Sequence, residues 1–174
     1  MTERMRIYTI GHSTRPLDEL IGVLREHGVK RLADIRRFPG SRRYPHFSRE
    51  SLAVSLPKAG IEYVHVVELG GRRDPLPDSP NTAWRNGQFR GYADHMATAG
   101  FQNALDHLLE SDAPTAIMCA EAVPWRCHRN LVSDELTRRG HEVIHILGPG
   151  ASQRHVINPV ARVVDGHLVY GPSS

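Results

Sequence analysis

Residues 114–147 read PTAIMCAEAVPWRCHRNLVSDELTRRGHEVIHIL. The stretch opens on a short apolar run, 114–119, crosses a polar loop, reads as a helix over 128–139 ended by Gly140, and closes on a second apolar, β-branched run at 142–147. A strand, a helix and a strand in such close succession are the unit of a parallel sheet covered by helices. The rest of the chain repeats this alternation. Residues 6–10 (RIYTI) read as a first strand running into Gly11-His12-Ser13. A helix follows, with Pro16 at its first turn, Asp18 and Glu19 at the positive end of its dipole, Leu17, Leu20, Ile21 and Leu24 on one stripe, and Gly28 as its stop. Residues 29–35 give a second strand, and Ser48 N-caps a helix to Gly60 that Pro57 is expected to kink or shorten. Residues 61–67 form a third strand. A polar, proline-rich stretch then runs to about Arg90, and a helix spans Ala93 to Glu110, with Gly100 as a point where it can split. Asp165-Gly166 between two valine-rich runs predicts a C-terminal β-hairpin. The expectation is an α/β fold: a single domain over 1–174 with a mainly parallel five-stranded sheet, helices on both faces and a C-terminal β-hairpin. Its core spans about 7–147, with a C-terminal extension over 148–174.

Length and composition agree with this. A chain of 174 residues with 40% hydrophobic and 24% charged residues can bury a core, which excludes disordered, collagen-like and disulfide-stapled classes. No segment approaches the roughly 20 apolar residues of a membrane helix, and the N-terminus lacks a signal-peptide core, so a cytoplasmic protein without a membrane partner is expected. In that reducing compartment the two cysteines, Cys119 and Cys127, are expected to remain unbridged. Of 22 basic residues only Lys30 and Lys58 are lysine and the other 20 are arginines, whose planar fork suits phosphate and carboxylate.

In open parallel sheets, ligands bind beyond the carboxyl ends of the strands. The chain's unusual residues fall at those ends: His12 and Ser13 after the first strand; Asp34, Arg36, Arg37, Ser41 and Arg42 after the second; Glu68, Gly70 and Gly71 after the third; Cys119, Glu121, Cys127, His128 and Arg129 after the fourth. In the loop CAEAVPWRCHR, Cys127, His128 and Arg129 fall at the first turn of a helix, where free N–H groups and the helix dipole favour an anion and lower a thiol pKa. A phosphatase-type Cys-to-Arg spacing is absent, because the sixth residue after Cys119 is Trp125 and Arg126 comes one place late. Cys119, Cys127, His12 and His128 are ordinary metal ligands, but their spacing matches no closed zinc pattern. The run RRFPGSRRYPHFSR, Arg36 to Arg49, interleaves five arginines with Phe38, Tyr44 and Phe47, a composition suited to phosphates and stacked bases. Arg72, Arg73, Arg85 and Arg90 with Trp84 and Phe89 form a second such cluster.

Thr9-Ile-Gly-His-Ser13, Asp34-Ile-Arg36 with Pro39 and Ser41-Arg42, Gly60-Ile-Glu-Tyr63, Leu69-Gly-Gly71, Phe89-Arg-Gly-Tyr-Ala-Asp94, and Cys119-Ala-Glu121 with Pro124 and Cys127-His-Arg129 resemble the ordered motifs of the domain-of-unknown-function family 488. The resemblance covers roughly residues 7–147. It implies a compact bacterial or archaeal α/β protein whose motif residues form the site, and it implies no reaction.

The expected function is an enzyme acting by hydrolysis or group transfer on a nucleotide or nucleic acid. Its catalytic candidates are Asp34, Glu121, Cys127, His12 and His128. Ser13, Arg36, Arg37, Ser41, Arg42, Gly70, Gly71, Arg90, Tyr92, Cys119 and Arg129 are the candidates for substrate binding. The sequence requires no cofactor and assigns no residue to a metal. Two alternatives stay open: a non-catalytic single-stranded nucleic-acid-binding module, and a metal-binding or redox protein using Cys119 and Cys127.

Overall fold

The computed structural model describes residues 4–40 and 43–172. Five parallel strands, β1 (Arg6–Gly11), β2 (Arg31–Asp34), β3 (Glu62–His65), β4 (Thr115–Cys119) and β5 (Glu142–Gly148), lie in one sheet with a sixth, antiparallel strand, β6 (Ala151–Arg154), in the order β3-β2-β4-β1-β5-β6. The five parallel strands expected from the sequence are thus joined by one more. Every residue of β6 is exposed, so it carries no apolar alternation to read. The C-terminal hairpin, β7 (Ala161–Val164) and β8 (His167–Tyr170), forms a separate two-stranded sheet turned at Asp165-Gly166.

The strand order fixes where the helices lie. Helices α1 (Leu17–Glu26) and α2 (Arg49–Lys58) connect β1 to β2 and β2 to β3, moving toward one edge of the sheet. Helices α3 (Gly87–Met96), α4 (Ala99–Leu108) and α5 (Arg129–Arg138) serve connections moving toward the other edge. Right-handed crossovers in opposite directions place their helices on opposite faces. The core divides accordingly: Leu20, Leu24, Leu52 and Leu56 pack with Ile10, Leu32, Ala116 and Met118 on one face. Phe101, Leu105, Leu131 and Leu136 pack with Ile7, Ala33, Ile117 and Val143 on the other. Alternate strand residues thus feed alternate faces, as the pleat requires.

Local boundaries follow capping chemistry. The expected helix from Ala93 to Glu110 is two helices. It breaks at Thr98, whose hydroxyl accepts the Phe101 N–H, and not at Gly100. The first of the two begins earlier, at Gly87, because Asn86 Oδ1 accepts the Gln88 and Phe89 N–H groups. Pro57 sits in the last turn of α2, one residue before its end, so it costs the helix little.

One connected network holds the segment that leads into α3. Asp94 accepts from Leu76 N, Ser79 Oγ and Asn81 Nδ2, while Asn81 Oδ1 accepts from Tyr170 N. The hairpin therefore pins the 74–86 segment against α3. Among the described residues no helix is long and apolar enough to cross a membrane.

Candidate functional site

Strands β2 and β4 are neighbours, yet β2 leaves the sheet toward one edge and β4 toward the other. The chain therefore parts above their carboxyl ends, and a crevice opens there. It forms a cavity of about 320 Å3. Arg36, Arg37 and Phe38 from the β2 loop and Cys119, Ala120 and Glu121 from the end of β4 line it. Gly71, Arg72, Gln88, Phe89, Tyr92, Arg126, Cys127 and His128 complete the lining. His128 Nε2 bonds to the Ile35 carbonyl at 2.9 Å, bridging the two loops.

Each loop is held by close packing. A Cβ at Gly11 would fall 1.5 Å from the Glu121 carbonyl oxygen, so the end of β1 and the cysteine loop meet backbone to backbone. A Cβ at Gly71 would stand 3.0 Å from His128 Nδ1. Ser13 and Arg72 both take a positive φ, a conformation that side-chain-bearing residues hold only where the surroundings enforce it.

At the end of β2, Asp34 is fully buried and saturated. Oδ1 accepts from Arg36 N (3.1 Å) and Arg36 Nε (2.9 Å), and Oδ2 accepts from Arg36 Nη2 (2.7 Å) and the Tyr63 hydroxyl (2.6 Å). Burial works against the Arg36 guanidinium, but its bonds and charge attraction to Asp34 outweigh that and hold its proton more firmly. Burial, then the Asp34 carboxylate, raise the Tyr63 pKa.

The end of β4 differs. Arg129 is fully buried at the start of α5, and its guanidinium meets the Glu121 carbonyl at 3.3 Å, the Ala122 carbonyl at 3.1 Å and Cys119 Sγ at 3.7 Å. Among the described residues none of its partners is a carboxylate, and its Nε has no acceptor. A guanidinium does not deprotonate in a protein, so Cys119 is the group able to answer its charge. Burial pushes the Cys119 thiol up, but the Cys127 thiol beside it, the Arg129 charge and the Glu121 backbone together bring its pKa below the ordinary value. Cys127 is driven well above its ordinary value by burial and by Cys119. A proton is thus lost more readily from Cys119 than from Cys127. Cys127 Sγ also lies 3.5 Å from His128 Nδ1 and accepts the first N–H of α5, that of Arg129, at 3.5 Å. His128 has its pKa lowered to about 4, by burial first and by the Arg129 and Arg73 charges next. It is neutral at pH 7, and the bond from Nε2 to a carbonyl assigns the proton to that nitrogen, leaving Nδ1 an acceptor facing Cys127.

The crevice therefore gathers Arg36, Arg37, Gly71, Tyr92, Cys119, Glu121, Cys127 and His128 of the residues singled out in the sequence. Asp34 and Arg129 lie buried behind its wall. Gly70 packs on the Arg37 backbone, and Arg90 turns to the Trp84 carbonyl. His12 stacks on Phe47 (ring centroids 4.6 Å apart), away from the cavity lining, and Ser13 is engaged through its backbone with Ala120. Ser41 and Arg42 lie outside the described residues. Gln88, Ala120 and Arg126 line the crevice without having been singled out; only the N-cap at Asn86 hints at the position of Gln88. A larger hollow of about 890 Å3 lies at the opposite ends of the strands, beside Arg4, Tyr8, Pro114 and Glu142, and holds neither cysteine. Among the described residues no group of three or more His, Cys, Asp or Glu side chains is placed to hold a metal ion.

An α/β scaffold with an arginine-lined crevice over paired cysteines defines the class of protein. A family profile described as "Domain of unknown function DUF488" matches residues 16–136, and the chain belongs to that family. The match takes in the loops after β2, β3 and β4 and stops short of the β1 motif and the C-terminal hairpin. No curated protein and no solved structure matches the chain.

Proposed function

We propose that this protein is an enzyme that binds a phosphate-bearing nucleotide or nucleic-acid strand in the crevice and hydrolyses or transfers a group of it through Cys119. The observation that carries this reading is the contact between buried Arg129 and Cys119 Sγ at the floor of the cavity. A buried cation whose anionic neighbour is a thiolate keeps that thiolate ionised, and the thiolate is the nucleophilic form of cysteine.

The surroundings support an anionic, ring-bearing substrate. Arg36, Arg37, Arg72 and Arg126 line the cavity with Phe38, Phe89 and Tyr92. Phe38 is 62% exposed, with the Arg37 and Arg72 guanidinium groups 5.4 and 5.6 Å from its ring centre. Arginines that hold phosphates beside rings that stack bases are the equipment of single-stranded nucleic-acid recognition. Two further hollows, of about 240 and 560 Å3, adjoin the crevice through Arg37, and one of them shares Arg72 and the other Phe38. This favours a strand over a free nucleotide.

In this mechanism Cys119 Sγ attacks the electrophilic centre of the substrate, forming a covalent adduct and releasing the leaving group. The adduct removes the negative charge that held the proton on Cys127, so Cys127 becomes the better acid at the moment the leaving group needs a proton. Cys127, held by His128 Nδ1, gives its one proton to the leaving group; Glu121, exposed on the rim, then takes a proton from the water or acceptor that attacks the adduct, the bond to Cys119 Sγ breaks to return the sulfur, and that proton passes through solvent to restore Cys127. Asp34 holds Arg36 in place and is a positioning residue.

The test uses labelled single-stranded DNA and RNA oligonucleotides and nucleoside phosphates. Cys119→Ser should bind a ligand as the wild type does and lose turnover, while Arg37→Glu with Arg72→Glu should lose binding and flatten its salt dependence. Wild-type protein that binds none of these ligands, or turnover retained by Cys119→Ser, overturns the reading.

A further inference from the structure

The chain has two cysteines, at opposite ends of the loop between β4 and α5, and the fold brings both to the crevice and to Arg129, whose guanidinium lies 3.7 Å from Cys119 Sγ and whose backbone N–H lies 3.5 Å from Cys127 Sγ. Both are free. We propose that Cys119 and Cys127 are a peroxide-responsive pair that closes into a reversible disulfide and so shuts the crevice to its reaction. The proposal rests on the reactive Cys119 assigned above, but not on the identity of the substrate.

The chemistry closes with a hydroperoxide as the oxidant. Cys119 Sγ attacks the outer peroxide oxygen; the O–O bond breaks, Cys119 becomes a sulfenic acid, and the departing alkoxide or hydroxide takes a proton to leave as alcohol or water. Cys127 then attacks the Cys119 sulfur, the S–O bond breaks, and its thiol proton leaves with the oxygen as water. The two sulfurs together give up the two electrons that the peroxide receives. The geometry favours both steps: a basic cavity admits a small oxidant to Cys119, and the resolving thiol lines the same cavity and is bound by the same arginine.

Arg129 sets the direction of exchange. In the dithiol form its buried guanidinium, with Nε unpartnered, faces the Cys119 sulfur at 3.7 Å. Closing the disulfide removes the negative charge from that sulfur and leaves the guanidinium without an anion, so the protein favours its reduced state. A disulfide whose reduced form is stabilised in this way is oxidising and is opened readily by small thiols. The bond is therefore a switch and not a staple.

The experiment treats the whole purified protein, reduced beforehand, with equimolar hydrogen peroxide and reads its intact mass and free thiols. The expected result is a species about 2 Da lighter with both thiols lost, mapped to a Cys119–Cys127 crosslink and reversed by glutathione. Cys127→Ser should instead hold a sulfenic acid on Cys119 that dimedone captures. Stepwise gains of about 16 Da with no lighter species, or thiols untouched by peroxide, overturn the proposal, and the wild-type reading decides it even if the variant does not fold. Oligonucleotide and nucleotide binding by the reduced protein, measured in parallel, tests the crevice assignment separately.

Discussion

Two buried arginines, one after β2 and one after β4, stand behind the same crevice and are handled in opposite ways. Arg36 has a carboxylate to itself, bound through two of its guanidinium nitrogens and backed by Tyr63. Arg129 has two carbonyls and a sulfur, and one of its nitrogens has no partner. A buried charge that is fully paired fixes geometry, because removing either member strands the other. A buried charge left short of a hard anion acts on whatever sits beside it, and here that is the Cys119 thiol. The first arrangement builds the wall of the site, and the second supplies its reactivity. A third buried polar network makes the same point from the structural side. Thr9, His145, His155, Asp134 and Tyr170 form an unbroken chain of hydrogen bonds of 2.6 to 2.8 Å that docks the C-terminal hairpin, and it reaches no lining residue of the crevice.

The contrast can be broken at several points. The largest effect is expected from Asp34→Ala, which strands Arg36: a loss of about 3–5 kcal/mol in stability by urea unfolding. A small change there would mean that Arg36 finds another anion. Next comes acid. An unfolded histidine titrates near 6.5, whereas His128 stays neutral to about 4 and His145, buried and beside His155 and Arg129, to about 3. Between those values the unfolded chain binds protons that the folded one refuses, so stability falls as pH drops through 6.5 toward 4. His128 alone accounts for on the order of 3 kcal/mol by pH 4. Thermal melts in a pH series check this, and His128→Gln should flatten the fall. A milder loss is expected from Phe38→Ala. Stability should stay within about 0.5 kcal/mol because the ring is exposed, while affinity for single-stranded oligonucleotides drops by about 1–3 kcal/mol. The smallest structural disturbance is Cys127→Ala, which should leave the fold intact while moving the alkylation midpoint of Cys119 to higher pH.

Much of this was legible in the sequence because burial writes itself as periodicity. Leu17, Leu20, Ile21 and Leu24 announce α1, and the apolar runs at the strands give the order of elements. Strand β6 could not be read, since Ala151 to Arg154 face solvent throughout. The start of α3 was hidden because its first residues, Gly87 and Gly91 among them, are poor helix formers held by a cap at Asn86 and by packing. Alternation led to the expectation that four loops meet at one sheet edge; the loops after β2, β3 and β4 line the crevice, while the β1 loop with His12 and Ser13 does not. Which cysteine carries the charge could not, because it depends on where the Arg129 guanidinium comes to rest. The sequence placed Cys127 at a helix start as a candidate nucleophile or anion contact, and it could not show that the Arg129 guanidinium lies 3.7 Å from Cys119 Sγ, with the Cys119 pKa lowered and that of Cys127 raised. The Asp34–Tyr63 bond is equally invisible from the chain, since it joins residues on two different strands.

The central claim is that Arg129 keeps Cys119 ionised at the floor of the crevice. Alkylation of the native protein by iodoacetamide across a pH series, with the modified residue mapped by mass spectrometry, tests it most directly. The account predicts that Cys119 is modified first, with a midpoint below the value of about 8.5 for an ordinary thiol, and that Cys127 reacts only at higher pH. Modification of Cys127 first, or a Cys119 midpoint at or above that of an ordinary thiol, would contradict it.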